Sequence, residues 1–162
     1  MPLNIADNKK FMQLALQNAE KAYKSGEVPV GAVLVGPNQD ILGQGYNQVI
    51  GTSDSTAHAE IVALREANLS IQNYRLPSGC TMFVTLEPCI MCLGALIHAR
   101  LEHLVIGSRD PKTGACGGRL SIHASDLNHH MHTTVGVLSE ECSKILKDFF
   151  REKRIDKDVG NE

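Results

Sequence analysis

The chain has 162 residues, 43% of them hydrophobic, enough to bury one core and too few for two comfortable ones. A formal net charge of -2 and a pI near 6.4 exclude a protein that holds nucleic acid by bulk positive charge, so any polyanion must meet a restricted surface. No run is long and uncharged enough for a membrane span, and the N-terminal MPLNIADNKKFMQ lacks the apolar stretch of a secretory signal; a cytoplasmic protein without membrane contact is expected.

In chain order, Phe11, Leu14, Ala15, Ala19 and Ala22 recur at helical spacing behind Asp7, a suitable N-cap, and ahead of Gly26, a suitable stop. This predicts a helix over roughly 7–25. Pro29–Val35 and Asp40–Asn47 read as strands joined through Gly36-Pro37-Asn38-Gln39 into an antiparallel hairpin. Ala59–Asn68 returns to the helical period through Ile61, Leu64 and Ala67. Cys80–Leu86 reads as a buried strand, CIMCLGALIHARL from Cys89 as a helix, and Leu101–Gly107 as a further strand. Strand, helix, strand in close succession is a crossover unit, which makes part of the sheet parallel and covers it with helices; the fold class is three-layer α/β. Residues 108–132, rich in Gly, Asp, Asn and His, read as mostly loop with room for a short helix. A short TVGVL segment follows, then an amphipathic helix over Glu140–Arg154. Residues 1–156 are expected to form a single domain and 157–162 a flexible C-terminal tail.

Five cysteines, an odd number in a chain without a secretory signal, argue against a disulfide framework and toward metal or catalytic use. Cys89 and Cys92 stand three apart in the first turn of their helix, where free N–H groups and the helix dipole stabilise thiolate. Thiolate binds zinc, but it is also the form used by a redox pair set between a strand and a helix, so the pair alone leaves the choice open. TAHAE (Thr56–Glu60) narrows it, because His58 and Glu60 also open a helix, His58 supplying a third ligand and Glu60 a carboxylate beside the set. A structural zinc is normally closed by four protein ligands, whereas a catalytic one leaves a position to water with an acid/base nearby. Two thiolates formally neutralise the zinc and leave a weaker Lewis acid than an all-histidine site, so a positioned base helps, and Glu60 is expected to be that base. Cys80, Cys116 and Cys142 are candidates for a fourth ligand, although Cys80 and Cys142 lie in apolar patterns and read as small core residues. His98 and His103 read as structural, and His129, His130 and His132 in the 117–132 stretch are left without a role.

The pairing of H-x-E with P-C-x-x-C is a zinc signature shared by deaminases of bases and nucleosides. Together with EVPVGAV (Glu27–Val33), TAHAEI, QNYRL (Gln72–Leu76), TLEPCIMC (Thr85–Cys92), RDPKTGA (Arg109–Ala115) and DFFREKR (Asp148–Arg154), it makes the chain from about Glu20 to Arg154 closely resemble the bacterial tRNA-specific adenosine deaminases. The resemblance implies a mixed five-stranded sheet flanked by helices, a homodimer, one zinc per chain, and hydrolytic conversion of the wobble adenosine of a tRNA anticodon to inosine. It implies zinc on His58, Cys89 and Cys92, and proton transfer by Glu60. Asn47 would hydrogen-bond the base, Val30 and Leu86 would line its pocket, and Asp110 and Lys112 would lie near the ribose and phosphates of the flipped nucleotide.

From the residues alone, Asn47 reads as a strand-end cap, Val30 and Leu86 as core, Asp110 as a turn residue and Lys112 as a solvated loop charge. On the final helix Cys142, Ile145, Leu146, Phe149 and Phe150 share one face, with Lys144, Lys147, Arg151 and Arg154 opposite. Residues 144–157 carry +3 against -5 for the remainder, which makes Lys147, Arg151 and Arg154 the expected contacts for the anticodon stem-loop. Two other readings stand beside this one: a deaminase of free guanine or cytosine, which needs no extended basic surface, and a non-catalytic zinc-stabilised RNA-binding module, which needs no Glu60.

Overall fold

The structure, a computed structural model, describes residues 3–160. It opens with α1, Ile5–Lys24. The cap of α1 is Asn4 and not Asp7, because the Asn4 side chain accepts the Asp7 N–H at 2.9 Å. Asp7 thereby falls in the first turn, where its charge faces the positive end of the helix. The expected hairpin joins β1 (Gly31–Val35) to β2 (Ile41–Tyr46), with Gln39 taking the left-handed conformation at φ 64° that the tight turn requires.

β1 also pairs antiparallel with β3 (Thr81–Leu86), so β2 and β3 run in the same direction. β4 (His103–Ser108) and β5 (His132–Val135) extend the sheet in parallel, giving the order β2-β1-β3-β4-β5. Every strand but β1 therefore ends at one edge of the sheet. α2 (Ala59–Ile71) follows β2 and α3 (Ile90–His98) follows β3, so both helices begin at that edge. This is where open α/β sheets place their ligands.

The period-2 alternation of the strands divides the core. Ala32, Leu34, Met82, Val84, Leu104 and Ile106 face α2 and α3. Val33, Val35, Phe83 and Val105 face Phe11, Met12 and Ala15 of α1, together with Cys142 of α4 (Ser139–Gly160). The result is the expected three layers around a mixed five-stranded sheet, with burial of each large side chain such as Phe83 contributing about 1.5–3 kcal/mol. The layers touch without a side chain between them at Gly31, Gly43 and Gly45; at the last, nearest the start of α2, a Cβ would lie 2.7 Å from Val62 Cβ and 2.8 Å from Ala59 O. The absence of a side chain there lets the first turn of α2 settle directly on β2.

The C-terminal part of the chain refines the sequence reading. The short TVGVL segment holds only the end of a strand, β5, which starts at His132 and pairs with β4. Residues 108–132, expected as mostly loop with a short helix, hold one 3-10 turn, Ile122–Ala124, between the end of β4 and the start of β5, and are tied down, since Ile122, Leu127 and Met131 pack against the α2/α3 side of the core. α4 continues to Gly160, into the stretch expected as a tail from Lys157, with residues 157–160 exposed; 161–162 lie outside the described residues. Among the described residues, no helix is long and apolar enough to cross a membrane.

Candidate active site

His58 and Cys89 each stand immediately before a helix in extended conformation, at ψ 154° and 174°, and neither side chain caps its own helix. Both are therefore free to reach sideways. Cys92 lies one turn into α3 and is buried. His58 Nδ1 lies 3.6 Å from Cys89 Sγ and 3.5 Å from Cys92 Sγ, and the three donor atoms fall within 4.8 Å of one another. Zn–S bonds of about 2.3 Å and Zn–N bonds of about 2.0–2.1 Å at tetrahedral angles give S···N edges of about 3.6 Å, so the donor set fits zinc in both chemistry and spacing. Three donors leave the fourth position to a non-protein ligand.

The same contacts govern the protons. The Cys89 thiol is lowered to about 4, first by the hydrogen bond from Cys92 and then by His58. The same bond and burial push Cys92 up, while the bond to Cys89 raises His58. A divalent cation binds the deprotonated sulfurs and the neutral imidazole, so its binding displaces the protons these groups share. Glu60, in the first turn of α2 and 4% exposed, stands outside the donor set. Burial pushes its carboxyl up from the ordinary 4.5, the direction suited to a group that both takes and gives protons.

Asn47 does the capping that His58 leaves undone: its Oδ1 accepts the Ala59 N–H at 2.8 Å. The residue read as ending a strand and capping a turn thus caps α2 instead, and its amide nitrogen makes no hydrogen bond among the described residues. A cavity of about 590 Å³ opens here, with Val30, Asn47, His58, Glu60, Leu86 and Cys89 among its lining. Asp110 and Thr113, from the loop after β4, and Phe149 and Lys153, from α4, line it too.

Not every expected residue reaches this cavity. Lys112 is exposed and outside its lining. The Asp110 carboxylate is spent within its own turn, accepting the N–H groups of Lys112 and Thr113 at 2.9 and 3.2 Å and the Thr113 hydroxyl at 2.9 Å. Lys147 and Arg151 border a separate groove, Arg151 and Lys144 pair with Asp148 at 3.1 and 2.6 Å, and Arg154 is exposed. The basic side chain on the cavity is Lys153, one turn beyond Phe149 and with its Nζ 5.4 Å from that ring's centroid.

Two acidic residues not singled out from sequence also border the site, each 3% exposed. Glu27 accepts the Ile50 N–H at 2.8 and 3.1 Å and the Gly51 N–H at 3.2 Å. Glu87 accepts the N–H groups of Asp110, Cys116 and Gly118 at 3.0, 2.8 and 2.9 Å. Their signal in sequence is an acid embedded beside proline in an apolar run, EVP and LEP, where a solvated carboxylate is out of place.

The remaining cysteines and histidines have other roles. Burial raises the thiols of Cys80, Cys116 and Cys142 to about 11, 12 and 12, and none joins the donor set among the described residues. His129 donates to Leu101 O at 2.6 Å, His130 donates to Ser125 O at 3.0 Å, and His132 stacks on buried His103 with ring centroids 5.5 Å apart. The expected outcome for Cys89→Ser is zinc content well below one per chain by metal analysis, together with loss of turnover; full zinc in that variant would remove Cys89 from the ligand set.

Residues 5–108 match the family model for the cytidine and deoxycytidylate deaminase zinc-binding region. The chain is 50% identical over 155 residues to the tRNA-specific adenosine deaminase of Haemophilus influenzae, covering 94% of this chain and 88% of that protein. A solved structure from work on A-to-I editing by tRNA:A34 deaminases superposes with a TM-score of 0.80 at 38% identity, covering 85% of this chain and 99% of that one. A guanine deaminase from Nitrosomonas europaea superposes with a TM-score of 0.71 at 22% identity, covering 87% and 83%, and shows a shared fold alone. The extent of these matches, on top of a donor set that fits zinc, establishes that the chain belongs to the cytidine and deoxycytidylate deaminase family, in its tRNA-specific adenosine deaminase branch.

Proposed function

We propose that the protein hydrolytically deaminates adenosine to inosine at the wobble position of a tRNA anticodon loop, with His58, Cys89 and Cys92 holding zinc. The observation that carries this reading is the buried carboxylate of Glu60 beside a three-donor set at the wall of a cavity. Zinc, when bound, supplies Lewis-acid activation of water. Glu60 takes one proton from the attacking water and passes it to N1 of adenine. The second proton reaches the exocyclic amine by the same carboxylate, ammonia leaves, and C6 keeps the oxygen. Water plus adenosine thus becomes inosine plus ammonia with no outside reagent.

The other side chains select and hold the base. The Asn47 amide nitrogen would donate to a purine ring nitrogen, and Val30 and Leu86 would offer apolar surface to its faces; all three line the cavity, and the Asn47 Oδ1 is already engaged by Ala59. The base must leave its stack to enter such a cavity, which costs less for a loop nucleotide than for a paired one. The expected outcome for Glu60→Gln is one zinc per chain with turnover down by roughly 10²- to 10⁴-fold. Zinc loss from that variant would make Glu60 a ligand and overturn this mechanism.

Backbone contact with the RNA is assigned to Lys153 on the cavity, with Lys147, Arg151 and Arg154 farther along α4, and Asp110 and Lys112 flanking on the loop after β4. Reversing Lys153 to Glu should weaken binding of an anticodon stem-loop and lower its salt dependence by about 0.7 log units of slope per lost single-strand contact. The triple reversal of Lys147, Arg151 and Arg154 reads the outer stripe in the same titration. Unchanged slopes in both would leave α4 to solvent and favour a deaminase of free bases.

Association as a homodimer in the cytoplasm belongs to the same proposal. Ile50, on the cavity rim, and Ile90, beside Cys89, are 72% and 56% exposed, and offer apolar surface to a second copy at the site. Sedimentation should give twice the chain mass of 17.6 kDa, and Ile90→Glu should shift it to one chain. A wild-type monomer at micromolar concentration would refute the pairing.

A further inference from the structure

We propose that Glu87 is a positioning residue whose buried carboxylate locks the loop 109–118 to the turn carrying Cys89, and so sets the cavity wall against which the flipped nucleotide rests. The inference rests on the deaminase reading above.

Glu87 sits between the last residue of β3 and the Pro88–Cys89 turn, and its own N–H donates to Ser108 O at 2.8 Å, carrying the β3–β4 ladder one step past the strands. From there the carboxylate gathers three backbone N–H groups from Asp110, Cys116 and Gly118, positions spread across the whole loop. Among the described residues no cation lies within ion-pair distance of it, so these charge-assisted bonds take the place of both water and counter-charge. The loop is shaped to the carboxylate: a Cβ on Gly114 or on Gly118 would collide with Glu87 side-chain atoms. The Ala115 N–H to Pro88 O bond at 2.9 Å and the bridge between Cys89 and Gly114 complete the seam.

An apolar side chain here would leave three backbone N–H groups without acceptors, and a neutral amide could not accept from all three in the same directions. What the carboxylate adds is direction. One group fixes Asp110 and, through its turn, Thr113 on the cavity wall, while standing two residues from a zinc ligand. Substrate wall and metal turn are thereby held in one register, as preorganisation of a reacting site demands. His58, the N-cap of α2, and Glu60, in its first turn, are untouched by this seam, so the binding of the nucleotide is affected more than the chemical step.

The test compares zinc-loaded wild type with Glu87→Gln and Gly118→Ala. Glu87→Gln puts an N–H₂ where acceptors are needed; Gly118→Ala leaves the carboxylate intact and pushes the loop off it. Both should keep one zinc per chain and lose roughly 10- to 100-fold in kcat/KM on a stem-loop carrying a wobble adenosine. The loss should fall on KM, with kcat changed much less. Tryptic cleavage after Lys112 and Arg119 should quicken in both. Zinc loss from Glu87→Gln would assign the residue to the metal turn instead, and unchanged kinetics and proteolysis in either variant would overturn the proposal. Should Glu87→Gln fail to fold, Gly118→Ala decides alone. Faster cleavage with full zinc, in a protein whose wild type is inactive on every adenosine RNA, would uphold the anchor and refute the deaminase reading.

Discussion

Three soft donors have to meet at one point, and two of them, His58 and Cys89, occupy N-cap positions of different helices. That meeting is possible only because β2 and β3 run in the same direction, which puts the starts of α2 and α3 at one edge of the sheet. A residue at an N-cap ordinarily folds its side chain back onto its own helix. Here the imidazole and the thiol turn to each other instead, and Asn47 from the end of β2 caps α2 in place of His58. The close approach of α2 to Gly45 keeps that first turn seated, so sheet geometry passes directly into donor geometry.

Much of this was legible in the sequence because the zinc set is local. Cys89 and Cys92 share one turn, His58 and Glu60 share another, and each turn follows a strand and opens a helix, as the sequence pattern shows; the parallel β3–β4 pair is likewise required by the strand–helix–strand pattern around Cys80–Gly107. What remained hidden depends on atoms far apart in the chain. The Asn4 cap of α1 was missed because Asp7 is an equally good capping residue by type, and only the bond to the Asp7 N–H distinguishes them. β5 was only partly legible, since His132, Thr133 and Thr134 show no apolar alternation; the strand forms at a sheet edge by pairing with β4.

The apolar face of α4 is narrower than its sequence pattern: Cys142 and Phe149 are buried, Ile145 and Leu146 are half-buried, and Phe150 is 45% exposed. A buried stripe centred on Cys142 and Phe149 turns Lys153 toward the cavity and leaves Lys147, Arg151 and Arg154 around the helix from it. Periodicity identifies that a helix has an inner side; the angular position of that side follows from what it packs on, here β3 and β4.

Charge then explains the division between base and backbone in the proposed reaction. The cavity is walled by Glu27, Glu60, Glu87 and Asp110 and bordered by the Cys89 thiolate, with Lys153 its one basic side chain of Lys or Arg type. Zinc bound to two thiolates carries no formal excess charge to offset the carboxylates. A phosphate driven into such an enclosure would lose its hydration and meet like charge, whereas a neutral purine loses little and gains apolar contact. Glu27 and Glu87 reinforce the bias while their charges are taken up by backbone N–H groups, so they shape the loops without competing for the base. Selection of a flipped base, with its phosphates held at the rim, thus follows from where the acids are buried as much as from where the bases are exposed.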